Sequence, residues 1–137
     1  MRILKADEIR TILRAEWRDL TQIWMFDQNY ACISKIELED IISIIWQKMK
    51  KSGEKLDCDE EALFLHAAVK KYWAQMSTVN VALAFGEVAG VMFNAWPSIH
   101  NQNISIADDR TVLLVEPQTK EIWKANRKDD RPYWMRF

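Results

Sequence analysis

A thiol, an imidazole and a carboxylate stand in this chain in an order that suits nucleophilic chemistry: Cys58, His100 and Glu116. A cysteine attacks only as its thiolate, so the surroundings decide whether it is a reagent or a packing residue. Asp57-Cys58-Asp59-Glu60 reads as a helix start. Asp57 is a good N-cap, and Glu60 follows at the capping-box spacing ahead of an apolar run of Ala62, Leu65, Val69, Tyr72 or Trp73, and Met76. Cys58 then falls in the first turn, where unpaired N–H groups and the positive end of the helix dipole lower a thiol pKa. Asp57, Asp59, Glu60 and Glu61 push the other way. A cation is needed to offset them, either protonated His100 or a hard cation held by the carboxylates.

A hairpin supplies the imidazole and its acid. Ser98 to Ile106 and Thr111 to Val115 are rich in β-branched and alternating residues, with Ala107-Asp108-Asp109-Arg110 as the turn. A turn centred on Asp108 sets His100 opposite Glu116, with Cβ atoms about 4.5–5.5 Å apart, near enough for a carboxylate to orient the ring. A one-residue slip would send Glu116 to the other face. Each residue also has a plain structural reading. Cys58 suits a small buried packing position, Glu116 before Pro117 a solvated strand end, and the first-turn acids the helix dipole alone. His66, eight residues after Cys58, is a second candidate imidazole that fits less well than His100.

Asp57-Cys58-Asp59, Val81-Ala82-Leu83-Ala84-Phe85-Gly86, the Ala95 to His100 approach and Val115-Glu116-Pro117-Gln118 follow one another in order. With them the segment Leu56 to Trp123 resembles the papain-like C-terminal domain of the fairy-ring mushroom agglutinin family of fungal chimerolectins and its bacterial and phage relatives. The resemblance implies a calcium-activated cysteine endopeptidase acting on a protein or peptide substrate. In it Cys58 is the nucleophile, His100 the general base and Glu116 the acid that orients it. Asp59 and Glu60 match an acidic stretch that would hold calcium, the one cofactor implied, and Gln118 falls beside the site. Papain-like enzymes keep a glutamine upstream of the cysteine, so Gln28 and Asn29 are the candidate oxyanion donors, and Trp96 is placed to wall the cleft. No lectin module accompanies the segment, and Met1 to Asn29 has no match in the family. The alternatives are a peptidoglycan peptidase or amidase, a thiol transferase, and a catalytically inactive interaction or phage-assembly module of the same fold.

Composition fits one compact domain: 137 residues, 49% hydrophobic and 28% charged. A net charge of −1, with no long basic run and no Gly-rich phosphate loop, argues against nucleic acid. A disulfide between Cys32 and Cys58 would consume the nucleophile, so a reducing compartment is expected. Met1 to Asp7 lacks a signal-peptide core and no 18-residue apolar run exists, so a soluble, cytoplasmic chain without a membrane partner is expected. A homodimer is left open.

Ile9, Ile12, Leu13, Trp17, Leu20, Ile23 and Trp24 mark a first helix. Ser34 and Glu37 box a second, carrying Leu38, Ile41, Ile42, Ile45 and Met49, and the Cys58 helix is the third. Three or four strands follow between Val79 and Val115. The expectation is an α+β fold in which N-terminal helices precede a small antiparallel sheet, with a papain-like architecture. A single domain 1–137 would be helical over about 1–76 and strand-rich over about 79–123. Its tail, 124–137, would cap the domain or dock on a partner through Arg131, Tyr133, Trp134, Arg136 and Phe137.

Overall fold

The computed structural model describes residues 1–50, 57–91, 99–125 and 130–137. A glutamate at the third helical position accepts from the N-cap amide in all three helices, Glu8 Oε2 from Lys5 N at 3.0 Å in the first. The backbone N–H and the hydroxyl of Ser34 donate to Glu37 Oε2 at 2.8 and 2.7 Å, and Glu37 N donates back to Ser34 Oγ at 3.2 Å. Helix α2 then runs Lys35–Lys50. Asp57 N donates to Glu60 Oε2 at 3.4 Å and opens α3, Cys58–Met76. Helix α1 is Ala6–Glu16, shorter than its apolar spacing suggested. Trp17 turns extended (φ −133°, ψ 98°), and the chain re-enters the core from strand β2, Gln22–Trp24. Leu20 and Ile23 still pack with Ile9 and Leu13, so tertiary packing produced a spacing that mimics a longer helix.

The first 76 residues are therefore not all helix. Strands β1 (Arg2–Lys5) and β3 (Asn29–Cys32) pair antiparallel, and β3 pairs parallel with β4 (Ala82–Leu83). A second sheet has the order β2-β9-β5-β6-β7-β8, where β5 is Phe85–Val91, β6 Ile99–Ile106, β7 Val112–Val115, β8 Ile122–Lys124 and β9 Arg131–Arg136. Its β2–β9 pair is parallel and the others antiparallel. The class is α+β, with two mixed sheets in place of the one small antiparallel sheet expected. The period-2 alternation of β5–β7 divides the core. Val88, Ile104, Leu114 and Met135 pack with Ile9 and Leu13 of α1. Phe85, Leu113 and Val115 pack with Leu38 and Ile42 of α2 and Leu65 and Val69 of α3. Among the described residues no helix is long and apolar enough to cross a membrane.

The tail does not cap the domain; β9 lies inside the six-stranded sheet, between β2 and β5. Two glycines of β5 permit this. A Cβ on Gly86 would stand 2.0 Å from the Arg136 carbonyl oxygen, and one on Gly90 2.3 Å from that of Arg131. Both obstacles are backbone, which cannot rotate away. Gly86→Ala should therefore lower stability by about 1–3 kcal/mol or more, read by urea unfolding, whereas Met76→Ala at an exposed helix end should change little. Equal midpoints for the two variants would refute this account of β9.

Candidate functional site

The hairpin turns one residue later than expected. Ala107 N donates to the Thr111 carbonyl at 2.9 Å, Arg110 takes φ 71°, and Ile106 faces Val112, so the loop centres on Asp109. The strand register moves by two residues, with Asn103 opposite Val115. A shift of two preserves the face where a shift of one would not. His100 reaches Glu116 on the diagonal, Nε2 to Oε2 at 2.6 Å, while Gln102 Nε2 donates to the same oxygen at 3.1 Å. Gln118 N donates to Glu116 Oε1 at 3.1 Å, and Trp46 of α2 pins the next carbonyl, Pro117 O, at 3.1 Å. Burial pushes the Glu116 carboxyl up. Hydrogen bonds from His100, Gln102 and the Gln118 amide outweigh it and hold the group below the usual glutamate range.

A carboxylate with a lowered folded pKa stabilises the protein above its unfolded pKa, and that stability drains away as pH falls toward the folded value. Glu116→Gln should thus be less stable than wild type by a gap that is full above about pH 4.3, the ordinary glutamate value, and narrows below it. A gap unchanged from pH 7 to pH 3 would contradict the assignment.

Cys58 is the first residue of α3 and half-buried, and among the described residues it makes no hydrogen bond to His100 or Glu116. Asn103 Nδ2 donates to the Ala62 carbonyl at 2.8 Å, and Leu65 and Val69 lie over Leu83 and Phe85. These contacts lay α3 along β6 on the face that carries Asn103 and Phe85, while His100 alternates to the face of Gln102 and Ile104. The expected oxyanion donors are elsewhere. Gln28 O accepts from Ala6 N, Asn29 pairs with Lys5, and the neighbouring Tyr30 sits under Lys70 Nζ. Lys70 is twelve residues beyond Cys58, about 18 Å along the helix. Asp59 hydrogen-bonds Asp57, which raises the Asp57 pKa and lowers its own, and Glu60 serves the capping box. Gln118 meets Glu116 through its backbone. Among the described residues no three His, Cys, Asp or Glu side chains gather as a metal site. Trp96 lies outside the described residues. Both cysteines are free. Burial pushes the Cys32 thiol up to about 12. Iodoacetamide at pH 8 should alkylate Cys58 and spare Cys32 until the protein is unfolded; equal labelling in the native state would contradict this packing.

A second imidazole–carboxylate pair was not foreseen. His66 Nδ1 of α3 lies 2.7 Å from Glu87 Oε1 of β5, and Arg136 Nε and Nη2 of β9 donate to the same oxygen at 3.1 and 2.9 Å. Burial raises the Glu87 pKa, but the bonds to His66 and Arg136 bring it below the ordinary value. The signal was an acid inside the otherwise apolar run Phe85–Val91, which must be paired to be buried.

The sequence also gave no hint of a groove of about 640 Å³ where the end of α1 and β2 meet β9. Ala89 pairs with Trp134 but Gly90 with Pro132, so Tyr133 is the extra residue of a β-bulge. The bulge turns a half-exposed Tyr133 ring to the groove. Trp17 forms part of the wall. It is 7% exposed, and its indole N–H has no acceptor among the described residues. Planar polar groups complete the lining: Glu16, Arg18, Asp19 and Gln22 from the α1–β2 segment, Asp130 and Arg131 from β9 and the residue before it.

No family model matches the sequence, and none of the curated proteins does. Among solved structures the chain is similar to PSL1a in its complex with E64, with TM-score 0.78 and 24% identity over 98% of this chain and 51% of that one. It is also similar to a Polyporus squamosus lectin bound to the human-type influenza-binding epitope Neu5Acα2-6Galβ1-4GlcNAc, with TM-score 0.75 and 24% identity over 98% and 49%. The chain spans about half the length of each. This likeness establishes the fold, and the fold is one found in a lectin. It corrects the papain-like resemblance. The calcium-activated peptidase, the peptidoglycan peptidase or amidase and the inactive phage-assembly module were all tied to that resemblance and fall with it.

Proposed function

We propose that this chain is a glycan-binding module. The observation that carries the reading is the groove beside β9. It joins an aromatic ring, on which the apolar face of a pyranose can stack, to carboxylate, amide and guanidinium groups that hydrogen-bond paired hydroxyls. Its volume is in the range of small-molecule sites, about 300–1,000 Å³. The Polyporus squamosus lectin that shares the fold is bound to a sialylated trisaccharide, and this chain matches 49% of that lectin. Retention on a panel of immobilised glycans, with release by the matching free sugar, tests the reading. Sugar-reversible retention supports it; a folded protein that no glycan retains refutes it.

A second reading concerns residues rather than a reaction. The part-buried His100–Glu116 pair, with Gln102 on the same oxygen, sets an imidazole against a carboxylate. Cys58 opens the helix that packs along β6, the strand that carries His100. We propose Cys58, His100 and Glu116 as a reactive-thiol position. It is supported if iodoacetamide labels Cys58 rapidly at pH 6 and His100→Ala slows that labelling while thermal unfolding stays near wild type. Labelling unaffected by His100→Ala removes His100 from the proposal.

A further inference from the structure

We infer that Trp46 is a positioning residue for the His100–Glu116 pair: its indole N–H acts through one peptide unit, that joining Pro117 to Gln118, to fix the carboxylate that holds the imidazole. The consequence for Cys58 rests on the reactive-thiol reading above.

The two ends of that peptide unit have different partners. Its carbonyl, Pro117 O, accepts from Trp46 Nε1 at 3.1 Å, and its N–H, on Gln118, donates to Glu116 Oε1 at 3.1 Å. A trans peptide is planar, with C=O and N–H opposed across it, so pinning the oxygen aims the hydrogen. A donor on the carbonyl also polarises the unit and strengthens its N–H. Glu116 Oε2 takes the side-chain bonds, with His100 Nε2 at 2.6 Å and Gln102 Nε2 at 3.1 Å. With Oε1 anchored from the turn, the planar carboxylate presents Oε2 to the ring.

The surroundings keep the indole in place. Glu116 N donates to the Glu121 carbonyl at 2.9 Å and Lys120 N to the Glu116 carbonyl at 2.8 Å, closing the β7–β8 turn. Lys120 takes the left-handed region, φ 60°, and its ammonium lies 5.4 Å from the centroid of the Trp46 ring. Leu38, Ile42 and Ile45 of α2 share one core cluster with Leu113 and Val115 of β7, so the indole stands on a helix already packed against the strand that runs into Glu116. An ionised carboxylate only accepts, and Glu116 is held in that form. His100 Nε2 therefore carries a proton, and the neutral ring keeps its lone pair on Nδ1, the nitrogen that would receive a thiol proton.

Trp46→Phe in the 15N-labelled whole chain keeps a ring, removes the donor and carries its own control, since the second histidine, His66, meets Glu87 through Nδ1. The His100 Hε2 resonance should move toward that of a free imidazole and exchange with water about tenfold faster, while the His66 Hδ1 resonance stays. Gln118→Ala retains the backbone N–H and should change neither. Alkylation of Cys58 at pH 6 should slow in Trp46→Phe as it does in His100→Ala. An unmoved His100 resonance in a Trp46→Phe protein of near-wild-type unfolding temperature, or equal movement of both histidines, overturns the positioning role. So does the absence, in the wild type labelled with 13C and 15N, of a scalar coupling across the hydrogen bond from Trp46 Nε1 to the Pro117 carbonyl carbon, a measurement that needs no variant. A His100 resonance that responds as expected while Cys58 labelling ignores both Trp46→Phe and His100→Ala leaves the positioning role standing and overturns the reactive-thiol reading.

Discussion

Strand β9 lies where side chains on β5 would forbid it. Gly86 and Gly90 remove the two Cβ atoms that would strike the Arg136 and Arg131 carbonyls, so the last strand of the chain closes the sheet between β5 and β2. Much depends on that insertion. Met135 and Phe137 bring buried apolar surface to the α1 side of the sheet, and Phe137 N ties back to the Trp24 carbonyl at 2.9 Å. Arg136 reaches the buried Glu87 carboxylate, which His66 holds from α3, so one acid links helix, central strand and final strand. The bulge at Tyr133 exists only because β9 pairs with β5 on both sides of it.

Two glutamates inside the sheet, Glu87 and Glu116, obey the same rule on opposite faces of it. Each is desolvated, each is matched with an imidazole, and in each the hydrogen bonds outweigh burial and favour the charged form. A buried charge with good partners stabilises little over an apolar pair, yet it is very costly to break. Such pairs fix register: Glu116 accepts from His100 and Gln102 together only when β6 and β7 meet about Asp109.

What could be read from the sequence was local. The Ser34–Glu37 and Asp57–Glu60 boxes set helix starts through bonds three residues apart, and the hairpin strands showed in their alternation. The His100–Glu116 contact survived a register error because a two-residue shift keeps side chains on their face. What escaped was long-range. Leu20 and Ile23 looked helical because they serve the core of Ile9 and Leu13. Strands β1 and β3 are four residues each, too short for alternation to declare them. The tail looked like a surface segment, since nothing near Arg131 to Phe137 shows that Gly86 and Gly90 are cut to receive it. The groove was hidden for the same reason, as its walls come from residues 16–22 and 130–133. The papain-like resemblance rested on Asp57-Cys58-Asp59, Val81 to Gly86, the Ala95 to His100 approach and Val115 to Gln118 in order, and short motifs in order do not fix architecture.

The claim that sugar enters beside Tyr133 is tested most directly by the Trp17 indole N–H resonance in a 15N-labelled sample titrated with Neu5Acα2-6Galβ1-4GlcNAc. A sugar seated in the groove that Trp17 walls should move this one indole signal, saturably, among the seven tryptophans. A titration in which the Trp17 signal stays fixed while resonances elsewhere shift, or in which none shifts, would contradict the account.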